Sequence, residues 1–108
     1  MSLLKIVCLA LGLLAGSAVA QPVAASGDRG EALLSSNCSR CHAINTTGES
    51  PNPKAPHFRD LDQRYPIDSL AEALAEGIRT GHPQMPEFVF APDEVSSIIA
   101  YLKSIQVH

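Results

Sequence analysis

Two long stretches of this chain carry no regular pattern, and they limit what it can fold into more than any other feature. Residues 43–56 are rich in Asn, Thr, Ser, Gly and Pro, and residues 80–92 carry Pro83, Pro86 and Pro92. Proline fixes φ and removes a backbone donor, and clusters of Gly, Asn and Ser favour turns, so neither stretch is expected to form a regular element. Three amphipathic segments surround them. Asp28 and Glu31 have the spacing of a capping box, and Gly30, Leu33, Leu34 and Asn37 follow at helical spacing into Cys38. Ser69 and Glu72 give a second capping box, and Leu70, Leu74 and Ile78, four residues apart, define one apolar face. Pro92 suits a first helical position, Asp93 and Glu94 suit the positive end of a helix, and Val95, Ile98, Ile99, Leu102 and Ile105 recur along one side. The mixed stretch from Phe58 to Tyr65 has room for a turn of helix. No strand pattern and no internal repeat is present, so the fold class expected is all-α. Irregular stretches this long are unusual in a small packed bundle, and they make sense if each wraps a face of something in the interior.

The chain has 108 residues, enough for one domain. Its first twenty have the form of an export signal. Lys5 supplies a short positive start, Ile6 to Ala15 is apolar or Gly, and Ala18-Val19-Ala20 places small residues where a signal peptidase reads. The expected organisation is a signal peptide at 1–20, cleaved after Ala20, a flexible segment at 21–27 and a single domain at 28–108. The apolar stretch is short for a membrane span, so stable membrane insertion is not expected, an uncleaved anchor being the alternative. Cleavage removes Cys8 and leaves 88 residues with two cysteines, Cys38 and Cys41. A disulfide between them would enclose two residues, close almost no loop and stabilise little. An exported domain this small usually needs a staple. Its core is thin as well: the mature segment has no Trp, and its aromatic residues are Phe58, Tyr65, Phe88, Phe90 and Tyr101, which leaves room for a large planar group. Net charge is −3 for the whole chain and about −4 once Lys5 is removed, with no basic run. Nucleic acid is therefore excluded as an expected partner, because its binding is driven by neutralising phosphates.

Cys38-Ser39-Arg40-Cys41-His42 is the attachment signature for covalent haem. Cysteines three apart sit about one helical turn from each other, so their sulfurs can add to the two vinyl groups on one edge of a porphyrin. His42, next to the second thioether, is carried under the iron and can bind through one ring nitrogen. Export agrees, since attachment of this kind takes place outside the cytoplasm. A redox-active CxxC pair is the competing reading, and it calls for a strand–helix setting that the pattern does not offer. A zinc site calls for two further ligands with pair spacing, also missing from the pattern.

From Gly30 to the C-terminus the sequence resembles the class I, mitochondrial-like cytochrome c family. The resemblance rests on the attachment site following a helix with Gly30, on His82-Pro83-Gln84-Met85-Pro86-Glu87-Phe88, and on a final helix with Ile99-Ala100-Tyr101-Leu102. It implies a small cytochrome c fold, with helices wrapped around one covalent haem c and its iron. Gly30 would allow the first and last helices to cross closely, with Tyr101 packed there. His42 would be the proximal ligand and Met85 the distal one, and Pro56 would lie near the carbonyl that accepts the His42 ring N–H. Two positions depart from the family pattern: Ala43 stands where Gly is common, and Leu34 where an aromatic is usual.

Four mature residues are candidates for the sixth iron position: Met85, His57, His82 and His108. Met85 is the sole mature methionine, and Pro83 and Pro86 would hold its segment in one conformation. His82 is the rival, three residues away. His57 reads as a surface or propionate-side residue, and His108 is terminal. Two protein ligands would leave no open position for a substrate, and no acid–base pair or nucleophile stands out, so the expectation is a carrier of single electrons and not an enzyme. It would be a periplasmic monomer exchanging electrons with a redox protein donor and acceptor. The alternatives are a cytochrome subunit docked to a periplasmic dehydrogenase, or a haem-based sensor or enzyme if the distal ligand is displaceable.

Overall fold

The computed structural model describes Gly12, residues 27–77 and residues 84–107. The leader, the cleavage point after Ala20, residues 21–26, Ile78, His82, Pro83 and His108 lie outside the described residues. The described residues form three α-helices, α1 (Gly27–Asn37), α2 (Leu70–Glu76) and α3 (Pro92–Ile105), with 3-10 turns at Phe58–Gln63 and Ile67–Ser69. Together they form an all-α globule, with no strand among the described residues. None of the helices among the described residues is long and apolar enough to cross a membrane.

The helix starts differ from the sequence expectation in an instructive way. α1 opens at Gly27, so Asp28 lies in the first turn rather than at the cap, where its carboxylate favours the positive end of the helix. The Ser69–Glu72 capping box is not formed. The 3-10 turn at Ile67–Ser69 runs directly into α2, and Ser69 has helical dihedrals (φ −67°, ψ −16°) with no side-chain cap bond. A capping side chain needs the extended backbone that this continuation removes. α3 has Pro92 at its start, as expected, and a cap that was not anticipated: the Ala91 N–H donates to Glu94 Oε1 at 3.0 Å.

The packing centre is the crossing of α1 on α3. Leu34 of α1 is 2% exposed and Ile98 of α3 is fully buried, with Val95, Leu102 and Ile105 on the same side of α3. Burying one such side chain stabilises by roughly 1.5–3 kcal/mol. Leu34, where the family pattern favours an aromatic, is thus a full member of the core. Gly30 lies where the two backbones meet. A Cβ placed on it would stand 2.6 Å from the Ser97 carbonyl carbon and 2.9 Å from Tyr101 Cβ, and closer still to the Ser97 carbonyl oxygen. The crossing of the Gly30 helix with the Tyr101 helix expected from the sequence is therefore present. Arg29 Nη1 and Asp93 Oδ2, 2.7 Å apart, join the two helices beside it. The hydrogen bond from Arg29 holds the Asp93 carboxyl below the usual carboxylate range, but both side chains are exposed and such pairs contribute little.

Two further contacts attach the rest of the chain to α3. Gln106, just past its end, donates through Nε2 to the Phe58 carbonyl (2.8 Å) and the Leu102 carbonyl (2.7 Å), and its Oε1 accepts from the Asp62 N–H (3.0 Å). The Val107 N–H donates to the Arg59 carbonyl at 3.0 Å.

Because the neighbour of Gly30 is backbone, α1 must lift off α3 to accept any side chain there. Gly30→Ala should lower stability by about 1–3 kcal/mol in urea denaturation of the intact protein, and Gly30→Val by more. A cost within about 0.5 kcal/mol, as at a free surface, would contradict the crossing.

Candidate cofactor-binding site

The attachment motif is a continuation of α1. Beyond Asn37 the N–H groups of Cys38 and Ser39 donate to the Leu34 carbonyl (2.7 and 3.2 Å), and those of Cys41 and His42 donate to the Cys38 carbonyl (3.1 and 2.9 Å). One helical turn therefore carries both cysteines and the histidine. The two thiols are free and half-buried. Burial, with a smaller contribution from the neighbouring Cys41, pushes the Cys38 thiol up to about 11. A redox-active CxxC pair needs the opposite shift, toward thiolate near neutral pH.

His42 is oriented by the loop that follows. Its Nδ1 lies 2.9 Å from the Pro56 carbonyl oxygen. A carbonyl only accepts, so Nδ1 carries a hydrogen, and in the neutral ring Nε2 is then the nitrogen with the lone pair. The loop folds back onto the motif to bring Pro56 there. The Asn52 N–H donates to the Cys41 carbonyl (3.1 Å), and the Phe58 N–H donates to the Ala43 carbonyl (3.0 Å). Ala43, buried, donates its own N–H to Ser50 Oγ at 3.0 Å. Phe58 packs on the imidazole, ring centroids 4.6 Å apart and planes tilted by 33°. The start of this loop is tied to α3: the Tyr101 hydroxyl donates to the Ile44 carbonyl at 2.7 Å and stands 2.9 Å from Asn45 Oδ1. Burial raises the Tyr101 phenol above its ordinary value, with a smaller contribution from the Glu31 carboxylate.

Met85 reaches the same region on a separate strap. α2 ends at Gly77, whose φ of +99° turns the chain and whose missing Cβ leaves space for Glu87; a Cβ there would stand 2.9 Å from Glu87 Cγ. The strap rejoins α2 through the Phe90 N–H, which donates to the Leu74 carbonyl at 2.9 Å. Phe88 and Phe90 stack with centroids 6.0 Å apart. Between strap and motif lies a cavity of about 540 Å³, within the usual range for a bound small molecule. Cys38, Cys41, His42, Pro56, Met85 and Phe88 all line it. Among the described residues its lining also includes Arg40 and Lys54 but no carboxylate, in a chain of net negative charge.

Of the other histidines, His57 does not line the cavity. Its ring nitrogens face Glu49 Oε2 (3.2 Å), Asp60 Oδ2 (3.3 Å) and Arg59 Nη2 (3.0 Å), and the side chain is half-buried among them. His82 and His108 are outside the described residues. Among the described residues no group of three or more His, Cys, Asp or Glu side chains is arranged to hold a bare metal ion. The chemistry of the cavity's donors fits a haem instead: two thiols on one turn, an imidazole bonded to Pro56 through Nδ1, and a thioether on a second segment. Sequence reasoning did not find the Phe58–His42 contact, the Tyr101 lock on Ile44 or the Gln106 clamp.

Comparison with known proteins gives the family of the chain. The family described as "Cytochrome C oxidase, cbb3-type, subunit III" matches residues 25–102. A curated protein of Synechocystis sp. named "Cytochrome c-553-like" is 30% identical over 89 residues, covering 81% of this chain and 78% of that protein. No solved structure matches the chain. The chain thus belongs to this cytochrome c-type family. That is broader than the class I, mitochondrial-like family suggested by the sequence motifs, and the comparisons do not single out that subdivision.

Tyr101→Phe keeps the ring in the core but leaves the buried Ile44 carbonyl without its donor. An unmet buried acceptor costs about 1–3 kcal/mol, so the variant should lose that much in denaturant titration. A neutral result would mean that the hydroxyl does not hold the loop.

Proposed function

We propose that this protein is a periplasmic, single-haem c-type cytochrome that passes single electrons between redox proteins. In this reading it has the cytochrome c fold, its helices wrapped around the haem. Cys38 and Cys41 would hold the haem through thioethers, and His42, through Nε2, and Met85 would be the protein ligands of its iron. The observation that carries the reading is the convergence of these four side chains, from two separate segments, on one cavity. The exported location rests on the form of the leader at residues 1–20. The bound haem supplies an iron that gains or loses one electron between its ferric and ferrous states.

The chain's own residues do the rest. The Pro56 carbonyl, accepting from His42 Nδ1, fixes the tautomer and makes the imidazole a better donor. The Met85 thioether, a neutral and soft ligand, favours reduced iron and raises the potential relative to a second histidine. Pro86 and Phe88, on the same strap as Met85, also line the cavity. Arg40 and Lys54 give the lining a positive charge that suits the carboxylates on a porphyrin edge. With two protein ligands, His42 and Met85, the iron would offer no place to a substrate, and the role would be carriage rather than catalysis.

A second reading is favoured by the matched family's description, which names an oxidase subunit. In that reading the same electron transfer takes place within a stable complex. Co-purification of an oxidase or dehydrogenase, in a complex insensitive to salt, would favour it over a freely diffusing shuttle. Rates of transfer to a partner that fall steeply with salt would favour the shuttle.

Two measurements test the site. Intact mass after acid–acetone extraction should retain one haem, and bare polypeptide mass would refute covalent attachment. The weak far-red absorption band of methionine-bound ferric haem should be present in the oxidised wild type and absent in Met85→Ala. That variant should keep its haem, since Cys38 and Cys41 are untouched, and its potential should fall. A wild type without the band near neutral pH, or a variant that retains it, would remove Met85 from the iron and make His82 the next ligand to examine.

A further inference from the structure

The hydrogen bond to Pro56 selects the tautomer of His42 but leaves its ring plane only loosely fixed, because a hydrogen bond to a carbonyl tolerates a broad range of directions. A flat wall against one face of the ring restricts that freedom, and Phe58 is such a wall. Its ring centroid lies 4.6 Å from that of the imidazole, at a tilt of 33°.

Phe58 is itself held from several directions. It is 7% exposed. Its N–H donates to the Ala43 carbonyl, one residue past His42, at 3.0 Å. Its carbonyl accepts from Gln106 Nε2 at 2.8 Å. The Gln106 amide can be oriented in one way only. Both Nε2 hydrogens go to carbonyls, of Phe58 and Leu102, and Oε1 accepts from the Asp62 N–H. Turning the amide over would set its oxygen against two carbonyls and its NH₂ against an N–H. A single side chain beyond the end of α3 thus fixes the backbone from which Phe58 projects.

We propose that Phe58 is a positioning residue for His42, setting the rotation of the imidazole plane through ring contact, and that Gln106 acts through it by clamping the Phe58 backbone. This rests on the haem reading above. The plane of an axial imidazole decides how unpaired electron density spreads over the porphyrin in ferric iron. Removing the wall should therefore change an electronic property and not merely stability.

The test uses the full-length holoprotein, oxidised, and reads the hyperfine-shifted haem methyl signals in proton NMR together with the reduction potential. Phe58→Leu keeps an apolar side chain but removes the flat face. Phe58→Met, unbranched and adaptable, serves the same purpose if the leucine variant does not fold. Either should retain covalent haem while changing the order or spread of the methyl signals and shifting the potential. Gln106→Ala should move the methyl pattern in the same sense by a smaller amount. Ile98→Val, a core change on α3, is the control: it should lower stability and leave the pattern as in wild type. An unchanged pattern in the Phe58 variants, with haem in place, overturns the inference and leaves the haem reading standing. A changed pattern in the Phe58 variants with none in Gln106→Ala overturns the role of Gln106. Absence of such shifted signals from the wild type overturns the haem reading, and this inference with it.

Discussion

At Gly30 the backbone of α1 rests on the backbone of α3, with nothing larger than a hydrogen between the α1 chain and the Ser97 carbonyl. The position of the cofactor cavity follows from that contact. α1 passes without interruption into the turn carrying Cys38, Cys41 and His42, since the Cys38 N–H still bonds to the Leu34 carbonyl. Wherever the crossing holds α1, it also holds the motif. A side chain at position 30 would therefore affect the cavity as well as the core, by displacing one wall relative to the strap that carries Met85.

α3 is the element to which the irregular parts of the chain are referred. Tyr101 reaches from its buried face to the Ile44 carbonyl and so fixes the start of the loop at 43–56. Gln106 fixes the turn that follows the loop. Pro56, whose carbonyl orients His42, lies between these two anchors. This explains how a stretch rich in Asn, Thr, Ser, Gly and Pro presents one carbonyl at 2.9 Å from a ring nitrogen. The loop needs no regular structure of its own, because Tyr101 of α3 bonds to its start and Gln106, just past α3, bonds to the turn that follows it. The strap at 84–90 uses a different device, a backbone bond from Phe90 to α2 and the close approach of Glu87 to Gly77.

Much of this was legible in the sequence where periodicity or a fixed motif spoke directly. The apolar faces around Leu34, Leu74 and Ile98 form the core and Pro92 opens α3, while the crossing at Gly30 is the one that the family resemblance implies. The helix starts at Asp28 and Ser69 were misread because a capping pattern describes an isolated helix end. Ser69 is already helical when α2 begins, since a 3-10 turn feeds into it, and nothing in Ser-x-x-Glu spacing reveals what precedes. The Ala91–Glu94 cap was missed for the converse reason: alanine has no side-chain acceptor and so gives no signal. The ring contact of Phe58, the hydroxyl bond of Tyr101 and the clamp by Gln106 were beyond reach for another reason. Their roles depend on which carbonyl or ring lies across the fold, and residues 44 and 101 meet only once α1 and α3 have crossed.

The walls of the cavity and the hydrophobic core are one continuous body. Cys38 and Phe88, both in the cavity lining, also pack directly against the buried cluster formed by α1, α3 and the 3-10 turns. A group seated in about 540 Å³ at that place extends the core rather than decorating its surface. Anything that binds the folded chain and not the unfolded one shifts the folding equilibrium toward the native state. With a haem joined through Cys38 and Cys41, as proposed, loss by dissociation is prevented, and the apolar faces of the ring take the place of the aromatic side chains this chain lacks. The short helices and long proline-rich segments then have a common cause. A domain that uses a planar group as part of its interior needs few helices to frame it and enough irregular chain to pass around its edge.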